Sequence, residues 1–278
     1  MTKTYPVVVS VAGSDSGGGA GIQADLKTMA ALGVYGATVI TAVTAQNTKG
    51  VIAIHAIPND IFQKQLNAVF DDFEVDTVKI GMLHDPEIVD ILIHALEKYK
   101  PKYVVVDPVM VATSGDPLIL KPTIDALKTG LFPLASLITP NLKETALLLE
   151  REVNNVEDMK KAAFDLLSFG SKAVLVKGGH LQDKIISDVL WLQGENQAHT
   201  FDADYIQTEN LHGTGCTLSS AIASYLALGY TLIQAVSLAK QYVSQAILYG
   251  RDVTIGHGHG PLNHAFNPQK LKINEKNN

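Results

Sequence analysis

Residues 7–45 read VVVSVAGSDSGGGAGIQADLKTMAALGVYGATVITAVTA and hold a complete strand–helix–strand unit. Val7–Ala12 is a near-continuous apolar run, as a strand covered on both faces requires. Gly13–Gly21 follows, with five glycines in nine residues, and opens directly into a helical pattern over Gly21–Leu32 with Gly33 as its stop. Ala37–Ala45 is the next β-rich run. This succession fits a right-handed βαβ crossover and a parallel sheet. Ligands of such sheets gather beyond the carboxyl ends of the strands, so the residues just after each strand are the informative ones.

The alternation continues outward. Thr77–Ile80, Tyr103–Asp107, Ser136–Thr139 and Ala173–Lys177 read as strands. Asp60–Asp71, Pro86–Tyr99, Leu142–Leu149, Val156–Phe169, Thr217–Leu228 and Leu232–Leu248 read as helices, with Gly170 and Gly229 at two of their ends. Ile185–Leu192 and Ala198–Ile206 flank the turn-like Gln193-Gly194-Glu195-Asn196 and predict an antiparallel hairpin at one sheet edge. The expected fold is α/β, with a mostly parallel central sheet and helices on both faces. No repeat or linker divides residues 1–278, so a single domain is expected, with a frayed polar tail over about residues 270–278.

Hydrophobic residues make up 46% of the 278 and charged residues 18%, enough apolar material for a sizeable core. The 22 Lys and Arg against 28 Asp and Glu give a net charge of −6. With no basic surplus, neither nucleic acid nor an anionic membrane is an expected partner. Cys216 is the single cysteine, which excludes an intrachain disulfide and fits a reducing cytoplasm. The apolar run after the amino terminus is too short for the layout of a signal peptide, and none reaches the roughly 18 residues of a membrane span.

Two glycine clusters carry the functional signal. In the first, Gly19, Gly21 and Ala24 match a GxGxxA dinucleotide spacing, but no acid occurs between Asp25 and Asp60 to take a ribose hydroxyl; an ordinary structural turn is the plainer alternative. The chain has no Gly-Lys dipeptide, which excludes a Walker A loop. The second cluster, His212-Gly213-Thr214-Gly215-Cys216-Thr217, opens a small-residue helix. Unpaired N–H groups at a helix start can hold an anion such as a transferring phosphoryl group. Cys216 falls inside that turn, where a thiol pKa is lowered; the alternative is a buried, inert cysteine.

Taken together, several motifs make the chain similar to a known family. They are Ala12 through Lys27, Thr44-Ala45-Gln46-Asn47-Thr48, Lys79-Ile80-Gly81-Met82-Leu83, Asp107-Pro108-Val109-Met110, Thr139-Pro140-Asn141, Lys177-Gly178-Gly179-His180 and His212 through Ser219. In this order they resemble the hydroxymethylpyrimidine/phosphomethylpyrimidine kinases of thiamine biosynthesis, members of the ribokinase-like superfamily, over about residues 6–265. The resemblance implies a three-layer sandwich and a homodimer. It also implies ATP and Mg2+ as cofactors, and phosphorylation of a pyrimidine hydroxymethyl group followed by phosphorylation of the monophosphate.

Carried residue by residue, the resemblance assigns the pyrimidine to Gln46, Gly13, Ala20, Asp25, Val43 and Met82. An amide such as Gln46 can pair with an amino group and a ring nitrogen together. Cys216, Gly213, Thr214, Gly215 and Lys177 are the expected catalytic set. Lys177, Asn141, Thr214 and His212 are expected at the nucleotide, and Glu144 and Asp107 at the metal. The Asn141-x-x-Glu144 spacing puts both on one helix face, although a solvated face gives the same pattern.

Cys216 stands where most sugar kinases of the superfamily place an aspartate base, and is expected beside the substrate hydroxyl as a low-pKa base or polar contact. Leu211 replaces a frequent threonine, while Asn210 keeps its usual identity. His257-Gly258-His259-Gly260 reads as a glycine-rich surface loop rather than a metal site. Pyridoxine/pyridoxal kinase is the rival enzyme reading, and a pyrimidine-binding sensor without turnover the non-enzyme one. All of these assignments require Gln46 and Cys216 to face one cavity.

Overall fold

The computed structural model describes residues 2–110, 119–179 and 184–276. In chain order the strands are β1 (Thr2–Thr4), β2 (Val7–Asp15), β3 (Tyr35–Asn47), β4 (Gly50–Ala56), β5 (Thr77–Ile80), β6 (Tyr103–Val106), β7 (Leu137–Ile138), β8 (Ala173–Val176), β9 (Ile185–Leu192), β10 (His199–Asp204) and β11 (Asn274–Lys276). The helices are α1 (Gly21–Ala31), α2 (Asn59–Phe70), α3 (Pro86–Tyr99), α4 (Lys121–Ala126), α5 (Leu142–Leu149), α6 (Val156–Leu166), α7 (Thr214–Ala227) and α8 (Leu232–Gly250). His180, quoted in the lysine–glycine motif, lies outside the described residues.

Among the described residues nine strands form one sheet in the order β10-β9-β8-β7-β6-β5-β2-β3-β4. The six from β8 to β3 run parallel; β4 closes one edge antiparallel, and the expected β9–β10 hairpin closes the other. Alternation along β8 shows why both faces are covered. Val174 and Val176 join a core closed by α2, α3 and α6, whereas Ala173 and Leu175 join one closed by α1, α7 and α8. Three layers result.

Differences from the sequence reading have local causes. β4 was not expected: every one of its residues is exposed, so Gly50–Ala56 shows no burial pattern. Pairing with β4 carries β3 on to Asn47, which places Gln46 inside a strand, opposite Val51, rather than past its end. α4, also unexpected, passes through a wide turn over Leu127–Leu131 into a tight one over Phe132–Leu134. α7 starts at Thr214 rather than Thr217, so Gly215 and Cys216 are helical. The tail is not wholly frayed, because Asn274–Lys276 pairs with Thr2–Thr4.

The chain leaves β2 for β3 on one side and returns to β5 on the other. In parallel sheets such a reversal is where the loops after the strands diverge and ligands collect, which points to the carboxyl end of β2.

Candidate active site

Asp15, the last residue of β2, organises the first glycine loop. Its Oδ1 accepts the Gly17 N–H at 2.8 Å, and its Oδ2 accepts those of Gly19 at 3.1 Å and Ala20 at 2.8 Å. The same Oδ2 lies 2.9 Å from His212 Nε2, so the ring expected at the nucleotide turns that nitrogen toward Asp15 and Gln46 instead. Burial pushes the Asp15 carboxyl up, but His212 and the loop N–H groups outweigh it, and the net pKa is lowered. The two glycine clusters thus meet. A Cβ on Gly19 would overlap the His212 ring, and one on Gly213, at φ +85°, would overlap the Gly19 carbonyl.

One end of the Gln46 amide lies 3.3 Å from His212 Nε2 and the other 3.2 Å from Thr44 Oγ1. The strand-borne amide therefore touches the loop that leads into α7, while the Cys216 thiol four residues further on has Lys79, Asp25, Asp107 and the Gly21 N–H around it. Gly13 and Met82 are neighbours here: a Cβ on Gly13 would stand 2.9 Å from Met82 Cε. Ala20 and Met82 are half-buried, and Val43 is exposed on β3.

Asp25 corrects the expectation. It has no accessible surface, so it cannot touch a bound ring. Lys79 Nζ sits 2.9 Å from both of its oxygens, and Ser10 and Ser220 Oγ donate to it, the latter at 2.6 Å. Asp25 is a buried tie between β2, β5, α1 and α7 beneath the loops. Lys79, also without accessible surface, was missed although a lysine inside a central strand is itself a signal of a buried partner. Asp15 was missed too; an acid two residues before consecutive glycines suits a turn that binds its own backbone.

At the second loop, Lys177 Nζ lies 2.6 Å from Asp107 Oδ1. Both stand beside Gly215: a Cβ there would be 3.4 Å from Lys177 Nζ and 3.5 Å from Asp107 Oδ2. Thr139 and Ser219 hydroxyls donate to Asp107, each at 3.3 Å. Burial pulls the Lys177 pKa down, but the charges of Asp107 and Glu144 more than reverse this, so it stays cationic. Gly215 and Cys216 N–H groups belong to the first turn of α7, the part of a helix without internal acceptors. Thr214 differs from expectation: its N–H and its hydroxyl both donate to the Leu211 carbonyl, at 3.2 and 2.7 Å, so neither is spare for an anion.

Asn141 and Glu144 do share a helix face, but they face each other. They form a capping box on α5, with the Glu144 N–H on Asn141 Oδ1 at 3.0 Å and the Asn141 N–H on Glu144 Oε2 at 2.8 Å. The Met110 N–H takes the other Glu144 oxygen at 3.3 Å. Burial pushes the Glu144 carboxyl up, while Lys177 pulls it down. Among the described residues no three His, Cys, Asp or Glu side chains come together as metal ligands. With Asp107 paired to Lys177, the donor set suits a magnesium ion that keeps its water and is held mainly by phosphate oxygens.

Cys216 is the second correction. Burial pushes its thiol up to about 11, against the pull of Lys79, and Asp25 and Asp107 push it further. The backbone N–H of Gly21 at the start of α1 faces the sulfur. Two helix starts do converge on the thiol, yet burial among two carboxylates wins. Asn210 buttresses the loop, its Nδ2 donating to the carbonyls of Gly250 and Val253, both at 2.7 Å. The His257 and Gly258 N–H groups donate to Thr48 Oγ1 at 3.3 and 3.1 Å, which fits a surface loop.

A three-layer nine-stranded sheet with two glycine loops interlocked at its reversal point defines a ribokinase-like fold. The solved ADP complex of Bacillus subtilis pyridoxal kinase is similar, with a TM-score of 0.87 and 34% identity over 94% of this chain and 98% of that one. Residues 15–263 match the phosphomethylpyrimidine kinase family, and the chain belongs to that family. A Rhizobium meliloti hydroxymethylpyrimidine/phosphomethylpyrimidine kinase is 50% identical over 259 residues, 93% of this chain and 96% of the relative. A probable thiamine biosynthetic bifunctional enzyme of Oryza sativa subsp. japonica, described as chloroplastic, is 47% identical over 270 residues, covering 96% of this chain but 48% of the relative. The chain thus spans about half the length of the plant relative.

Proposed function

We propose that the chain transfers the γ-phosphoryl group of ATP to the hydroxymethyl group of 4-amino-5-hydroxymethyl-2-methylpyrimidine, and then phosphorylates the monophosphate to the diphosphate, in thiamine biosynthesis. One observation carries this reading: His212, in the loop that leads into the Cys216-bearing helix, contacts both Gln46 of β3 and Asp15 of the first glycine loop, so the three segments meet at one place. Gln46 pairs with the amino group and ring nitrogen, while Val43 and Met82 cover the ring and Gly13 and Ala20 leave room for it. The substrate hydroxyl oxygen bonds to the γ-phosphorus as the β–γ bridging bond breaks and ADP leaves. Lys177 and the N–H groups of Gly215 and Cys216 meet the charge on the transferring group. The transition state is loose, so a protonated Cys216 serves as a polar contact to the hydroxyl, whose proton leaves late, to an oxygen of the transferred phosphoryl group. Magnesium bound with the nucleotide would neutralise phosphate charge, with Asp107 and Glu144 holding its water.

The test is ADP release with the pyrimidine, its monophosphate and pyridoxal in parallel. Turnover with both pyrimidines above that with pyridoxal is expected. Turnover with pyridoxal alone would favour the second reading, which the likeness to the Bacillus subtilis pyridoxal kinase supports. Absence of turnover with all three would leave a pyrimidine sensor. A homodimer in the cytoplasm completes the proposal. Strand β4 exposes Val51, Ile52 and Ile54, and among the described residues it is the outermost strand at its side of the sheet, an edge that a second copy would cover. Light scattering should give twice the 29.8 kDa chain mass.

A further inference from the structure

The Gln46 amide sits between two groups whose hydrogen-bond polarity is fixed. Asp15 is an acceptor only, so the His212 Nε2 beside it at 2.9 Å carries the proton. Thr44 owns one hydroxyl proton, and the Ser14 carbonyl, 2.7 Å away, claims it. The Thr44 oxygen therefore accepts. The structure draws the amide nitrogen toward His212 and the oxygen toward Thr44, but amide O and N exchange by a half-turn, and the fixed polarity of both neighbours selects the turned form, with its oxygen toward the His212 N–H and its NH2 toward Thr44. The remaining N–H and lone pair of the amide are what a bound ring meets.

We propose that Asp15 and His212 are positioning residues that fix the Gln46 amide in one orientation and so set the donor–acceptor order read on a flat heteroaromatic substrate. This role presupposes the reading of Gln46 as the ring contact. The geometry gives it force, because Asp15 is itself held by three N–H groups of the first glycine loop and His212 directly precedes Gly213. The carboxylate cannot turn. An asparagine at 15 could instead offer its NH2 to His212, shift the ring proton to the other nitrogen and let the amide reverse.

Calorimetric titration with 4-amino-5-hydroxymethyl-2-methylpyrimidine, together with KM for both substrates, tests this on Asp15→Asn, His212→Phe, His212→Gln and Gln46→Ala. Asp15→Asn and His212→Phe should weaken pyrimidine binding about tenfold or more, the scale of one misdirected buried polar contact. Over the same variants KM for ATP should move less than about threefold. His212→Gln, which can still donate to Asp15, should recover most of the affinity. Parallel rises in both KM values, or no rescue by His212→Gln, would overturn the proposal. Should Asp15→Asn fail to fold, the two His212 variants decide alone. If Gln46→Ala loses the pyrimidine while Asp15→Asn and His212→Phe keep it, only the positioning role falls. If Gln46→Ala binds as the parent does, the substrate reading falls with it.

Discussion

At the scale of single residues, the thiol at the start of α7 shows how burial overrules a helix terminus. The helix start and Lys79 both favour a thiolate, yet removal from water among Asp25 and Asp107 pushes the group up to about 11. Alkylation of the ligand-free protein by iodoacetamide should then climb roughly tenfold per pH unit from pH 7 to pH 10, without a plateau. At pH 8 it should run about 10²-fold below a free cysteine, whose pKa is near 8.5. Mass spectrometry reads this without ambiguity because the chain has one cysteine. A plateau below pH 9 would refute the assignment. Cys216→Ser, as another polar contact, should keep kcat within about tenfold of the parent, whereas Cys216→Ala should lose about 10²-fold, the lower end of what a removed transition-state contact costs.

At the scale of elements, the site depends on how firmly α1, α7 and β5 are tied. Lys79 and Asp25 are both without accessible surface, and Ser220 adds α7 to the pair. Lys79→Met leaves a buried carboxylate without its cation and should cost about 3–5 kcal/mol in urea unfolding. Adding Asp25→Asn should return most of that, since the unpaired charge is what costs; failure to recover would mean that the lysine acts through packing of its stem instead. Gly213→Ala, which drives a methyl into the Gly19 carbonyl at a positive φ, should separate the two loops and lower kcat about 10²-fold or more. The elements themselves were largely legible. Val8, Val9 and Val11 are buried from both faces, so their run is apolar without alternation. β4 was invisible because none of its side chains is buried. The Asn141-x-x-Glu144 spacing is ambiguous for another reason: a helix start uses the same i, i+3 geometry to cap itself.

For the whole molecule, sequence located the two glycine loops but not the contact that joins them, because nothing local marks Asp15 and His212 as partners. What links distant segments must be tested through stability as well as turnover. His264, near the carboxyl end, binds its segment to α7 and α8: its Nε2 lies 3.0 Å from Thr217 Oγ1, and its carbonyl accepts from the Tyr242 hydroxyl of α8 at 2.6 Å. Burial, aided by the charge of Lys27, lowers its pKa from 6.5 to about 4. Between these values the unfolded chain binds a proton that the folded protein refuses, so stability is intact above about pH 6.5 and falls as pH drops toward 4. The loss amounts to about 3 kcal/mol. Glu144, whose carboxyl is pushed up by burial, contributes with the opposite sign and is unaffected by a change at 264. Urea midpoints measured from pH 7.5 to pH 4 on the parent and on His264→Gln should therefore converge as pH falls, with the parent showing the steeper decline. Parallel curves would mean that the ring is charged in the folded protein or that its segment does not stay docked on α7.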